Sequence, residues 1–187
     1  MNNGWLTMRL NSLFNYLWMQ LIWFAAVLGA ANKIVWPVLV LFMVFVVSVL
    51  HSDNRVKGDF QLMLVAVVVG FILDTTWVKV GWLEFTSSSG ASHLAPWWII
   101  LLWASLALTI NHSLVCLQQK LWLAATVFAF ASPLSYAAAA KLGAVTIVAT
   151  DWLWFCVVGA SWAIAVPLLL WLGHYLRQLN SAESQHD

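Results

Sequence analysis

Six apolar stretches follow one another along the chain, at 12–30, 34–51, 60–80, 96–117, 121–140 and 151–175. Each is close to the roughly 20 residues that a helix needs to cross a bilayer. The links between them are short, so the stretches have nowhere to bury their apolar surface except against each other and in lipid. Charged residues make up 8% of the 187 residues and apolar ones 63%, against about 25% charged in an ordinary soluble domain. The reading is an all-α, polytopic integral membrane protein: a six-transmembrane-helix bundle forming one domain over 1–187, with a short tail at 176–187.

Pro37 and Pro96 fall where helices begin, where a missing N–H costs little. Pro133 and Pro167 fall inside stretches, where packed neighbours can satisfy the carbonyls they release. Ala131, Ser135, Ala139 and Gly143 recur every four residues, a spacing suited to close helix packing in a membrane. With six spans, both termini share a side with Arg9, Arg55, Lys57, Lys120 and Arg177, whereas Lys33, Lys79 and Lys141 fall opposite. Basic residues concentrate on the cytoplasmic side, which puts the termini there, in a bacterial inner membrane. The first stretch loosely imitates a signal peptide, but Asn15, Gln20 and several tryptophans favour a retained helix.

A net charge of +1 offers no clustered basic face for nucleic acid. Cys116 and Cys156 lie in apolar runs and suggest neither disulfide nor metal. The five histidines are far apart, unlike the clusters that bind catalytic iron. No cofactor, metal or catalytic set is expected.

Two polar sets remain inside apolar stretches. Asp74, with Thr75, lies about 21 Å into segment three, the depth reached by Tyr136 in segment five; Lys79 and Lys141 are near enough to snorkel toward it. Asp74 is either a functional acid or a clasp paired with Tyr136 and a lysine. The second set holds His112, Asn111, Ser113 and Thr109 at the far end of segment four, with Asn15 as the natural hydrogen-bond partner of His112 or Asn111. His112 is either a proton carrier or a staple between helices.

The strings "LDTTW", "APWW", "LTINHSL" and "SPLSYAAAAKLGA" resemble those of a family of small bacterial inner-membrane proteins known only as a domain of unknown function. The resemblance covers most of the chain and implies an all-helical inner-membrane protein. It also implies gene neighbours among fatty-acyl-modifying enzymes, and hence a lipid-related role. Two functions are carried forward: a non-enzymatic protein that binds membrane lipid or assists a lipid-modifying enzyme, and a small proton-linked transporter or lipid carrier using Asp74 and His112. A membrane enzyme acting on acyl chains stands behind both.

Overall fold

The computed structural model describes residues 3–34, 36–51, 55–86, 93–149 and 152–183. Within them the apolar stretches form six helices: α1 (Asn3–Ala31), α2 (Trp36–Leu50), α3 (Asp59–Lys79), α4 (Trp97–Ile110), α5 (Leu121–Lys141) and α6 (Leu153–Glu183). Four of them, α1, α3, α5 and α6, are long and apolar enough to cross a membrane, whereas α2 and α4 have 15 and 14 residues. Segment four therefore stops short of its expected end at 117. The Thr109 carbonyl accepts the N–H groups of both His112 and Leu114, and the chain turns aside there through a 3-10 turn at Val115–Leu117. Segment six instead runs past 175, so most of the expected tail continues α6.

Consecutive helices run in opposite directions. Residues at the end of α4 bond to Asp59 at the start of α3, while Ala95, just before α4, donates to Thr75 near the end of α3. These contacts define an Asp59 end of the bundle. The opposite end carries an antiparallel ribbon of β1 (Leu83–Phe85) and β2 (Val145–Ile147), a β element that the all-helical reading did not contain. Gly81 and Gly143, at φ 78° and 84°, supply the left-handed turn that lets a helix hand over to a strand. In both, two backbone bonds close the helix: Gly81 to Val78 and Trp82 to Trp77, then Gly143 to Ala140 and Ala144 to Ala139.

This is an internal repeat. A shift of 62 residues carries Asp74 to Tyr136. The same shift carries Lys79 to Lys141, Gly81 to Gly143 and β1 to β2. Leu83 pairs with Ile147, Glu84 with Thr146 and Phe85 with Val145, a pattern unchanged when the two units are exchanged. A pseudo-two-fold axis thus passes through the Glu84–Thr146 pair. It runs along the helices, because α3 and α5 both end at the ribbon.

Two glycines set how closely helices approach. A Cβ on Gly70 of α3 would fall 2.1 Å from Cγ of Trp103 on α4, and one on Gly159 of α6 would fall 2.4 Å from the Ala129 carbonyl oxygen of α5. Ala129 lies four residues before Pro133, which has no N–H to offer that carbonyl. The backbone of α6 covers the group that the proline leaves open. The small-residue stripe was expected to serve close helix packing, yet Ala131, Ser135 and Ala139 line a cavity.

Candidate functional site

Asp74 is fully buried, and both of its oxygens accept hydrogen bonds. The Tyr136 hydroxyl donates to Oδ1 at 2.6 Å, and the Trp103 indole N–H donates to Oδ2 at 2.8 Å. Burial of an unsatisfied acceptor in this setting costs about 1–3 kcal/mol, so the two donors supply what hydrocarbon cannot. Trp103 stacks on Trp162 of α6 with centroids 4.4 Å apart, and Trp77 packs edge-on against Tyr136. Sequence reasoning brought Tyr136 to Asp74 but not Trp103, which has no polar neighbour in sequence; Gly70, four residues before Asp74, marks where a large ring is received.

The lysines do not share this site. Lys79 and Lys141 are exposed, and among the described residues neither forms an ion pair with Asp74. Both stand at the ribbon end, where water is closer than the acid. Thr75 is also turned away from Asp74, its hydroxyl accepting the Ala95 N–H at 3.2 Å.

The second set assembles around a residue that the sequence analysis did not single out. Asp59, the first residue of α3, is 1% exposed. It accepts from Asn111 Nδ2 at 2.8 Å and sits 2.9 Å from His112 Nε2. Asn111 Oδ1 in turn accepts from Gln118, whose own carbonyl oxygen accepts from Arg177 of α6. The expected bond from Asn15 to His112 or Asn111 is replaced by two others: Asn15 donates to the Leu108 carbonyl and accepts from Ser113. Thr109 bonds back to Leu106. The signal for Asp59 was its place at a helix start, where a carboxylate is favoured, although no side-chain cap forms there.

Beside the Asp74 clasp, α5 stands away from α1 and α4 and leaves a cavity of about 390 Å³, within the usual range for a small-molecule site. Trp103, Tyr136 and Trp162 form part of its wall, with Leu102, Leu106 and Phe128. Phe85 and Val145 of the ribbon line it too. Three lining residues, Tyr16 and Phe24 of α1 and Ala131 of α5, are exposed on the outside of the bundle. The cavity is therefore a lateral groove that opens between two helices long enough to span a membrane. Among the described residues no charged side chain lines it, and no group of histidine, cysteine and carboxylate residues is arranged to hold a metal.

Comparison with known proteins places this geometry in a family without placing it beside a characterised relative. No curated protein and no solved structure matches the chain. The family described as proteins of unknown function, DUF2878, matches residues 12–168, which take in α2 to α5, most of α1, the first half of α6, the ribbon, both buried carboxylates and the groove, and the chain belongs to that family.

Proposed function

We propose that the protein is a non-enzymatic, six-span inner-membrane protein that holds a lipid hydrocarbon chain in its lateral groove. The observation that carries this reading is the groove itself. It is apolar, uncharged, and bordered on its open side by exposed Tyr16, Phe24 and Ala131. A groove on that flank faces the bilayer interior if α1 and α5 cross it, and lipid tails are then the solvent that fills it. The shorter α2 and α4 run opposite to their neighbours and complete six crossings, with the Asp59 end and both termini in the cytoplasm. Arg55, Lys57, Lys120 and Arg177 at that end, against Lys33, Lys79 and Lys141 at the ribbon end, support the orientation. A lipid-modifying enzyme is the partner to which such a protein would present its lipid.

The experiment is photolabelling in reconstituted bilayers with a phospholipid carrying a diazirine on its acyl chain. Adducts at Leu102, Leu106 or Ser135 inside the groove are expected. Labelling confined to outward positions such as Met43 and Val47 would remove the reading.

A second reading, a proton-linked carrier, gains from the repeat, because membrane carriers are often built from repeats with the site at their interface. The path between its two titratable groups counts against it. His112 sits on Asp59, which about 22 Å of helix separates from Asp74, and the buried residues of α3 between the two acids are Leu62, Ala66 and Gly70, none of which can pass a proton.

A further inference from the structure

The groove has polar groups where a phospholipid has none to meet them. Gln20 and Ser135 both line it, and neither side chain has a hydrogen-bond partner among the described residues. This is unusual for Ser135. Ser48, Ser105, Ser132 and Ser161 all bond back to a carbonyl of their own helix. Trp98, also on the wall, has a buried indole N–H without an acceptor. The unanswered groups are thus a hydroxyl, an amide and one indole, each with an O–H or N–H to donate. Unsatisfied donors in a membrane interior are costly, and they call for a ligand rich in acceptors.

Their depth narrows the class. Gln20 lies five residues beyond Asn15, whose side chain bonds to Leu108, and Trp103 lies five residues before Leu108 on the antiparallel α4. The two are therefore level, and the Trp103 ring lies over Gly70, midway along α3. Ser135 adjoins Tyr136, which shares Asp74 with Trp103. A phospholipid or fatty-acid headgroup sits at the membrane surface, about 15 Å away from the midplane of a 30 Å core. It also carries charge, for which the groove has no counter-ion. An uncharged carbonyl compound can lie at that depth, and a flat ring suits a wall that includes Trp103, Trp162 and Phe128.

We infer that the ligand of the groove is an isoprenoid quinone or a closely similar neutral ring ketone, its carbonyl oxygens taking hydrogen bonds from Ser135 and Gln20 and its tail lying along α1 and α5. This rests on the lipid-groove reading and names the lipid. The test uses the full-length protein in nanodiscs, titrated with decylubiquinone and followed by quenching of tryptophan fluorescence. Saturable quenching is expected in the wild type. Ser135→Ala and Gln20→Leu should each weaken it on the order of fivefold, as loss of one hydrogen bond predicts, with acyl-diazirine labelling of Leu106 retained. Linear, unsaturable quenching, or saturable quenching unaffected by either variant, would overturn the quinone assignment. Retained Leu106 labelling in that case would leave the groove as an acyl-chain site, and loss of both signals would overturn the two readings together.

Discussion

Asp74 and Tyr136, joined by a 2.6 Å hydrogen bond, occupy equivalent positions in the two halves of an internal repeat. Each lies seven residues before the glycine that ends its helix, and the ribbon above them is symmetric about Glu84 and Thr146. The symmetry of the backbone is broken by chemistry at the axis: one half supplies an acceptor, the other a donor.

That complementarity predicts a measurable coupling. Tyr136→Phe leaves Asp74 Oδ1 without its donor, and Asp74→Ala leaves both Tyr136 and Trp103 unanswered. Each should lower stability by about 1–3 kcal/mol, with Asp74→Ala the larger. The double variant should cost less than the sum of the two. Thermal unfolding in detergent measures all three, and strict additivity would mean that the bond contributes nothing.

Gly70 gives a second prediction, drawn from space rather than polarity. A methyl group there meets the Trp103 ring at 2.1 Å, so Gly70→Ala must displace the ring, its bond to Asp74 and its stack on Trp162. Overpacking of this kind costs about 1–3 kcal/mol before the lost hydrogen bond is added. Gly81→Ala is the control, because nothing lies within 4 Å of its added Cβ and only the positive φ resists it, worth about 1–2 kcal/mol. Near-infrared or ultraviolet spectroscopy is unnecessary; the order of the two melting temperatures decides, with Gly70→Ala the lower.

The third concerns the groove. Ser135 was expected to hold helices together, and Leu at that position would then break the bundle. Since Ser135 faces the cavity, Ser135→Leu should fill space without separating α5 from α6, whose close contact is at Gly159 and Ala129. The melting temperature should stay within a few degrees of wild type while acyl-diazirine labelling inside the groove falls several-fold. Gly159→Ala should behave in the opposite way, losing stability first.

How much of this was legible beforehand depended on the range of each signal. The apolar stretches and their order follow from local composition, and so did the depth match between Asp74 and Tyr136, which needs only the rise of a helix. The lysines were misplaced because nearness along a helix says nothing about which way a side chain faces; Lys79 and Lys141 end their helices five residues beyond Asp74 and Tyr136 and are exposed. Asp59 was overlooked because it closes the polar string "HSDNRVKGD", where hydration explains a carboxylate, and only the fold of residues 111–118 over it excludes water. The ribbon and the repeat were written in the paired strings "KVGWLEF" and "KLGAVTI", two three-residue strands too short for alternation to distinguish from loop.

The last prediction addresses the Asp59 end. Asp59 gathers Asn111 and His112, and Gln118 extends the chain of bonds from Asn111 to Arg177 on α6. It therefore ties α3, the turn that follows α4 and α6 together at one level. Removing one member of a buried, hydrogen-bonded pair costs more than removing an exposed one, about 3–5 kcal/mol when a charge is left behind. Asp59→Leu leaves Asn111 and His112 facing an apolar side chain and should be the most destabilising substitution at this end. Asp59→Asn keeps an oxygen for Asn111 and, because neutral histidine can accept through Nε2, an N–H for His112, so it should recover most of the loss. Arg177→Met removes the outermost link of this chain of bonds, together with the contact of Arg177 to His174, and should cost less than loss of either partner of Asp59. Hydrogen exchange adds the spatial test: in Asp59→Leu the amides of residues 108–118 should lose protection while those of Val145–Ile147 in the ribbon keep theirs. Uniform loss at both ends would show that Asp59 supports the whole bundle rather than the turn that ends α4.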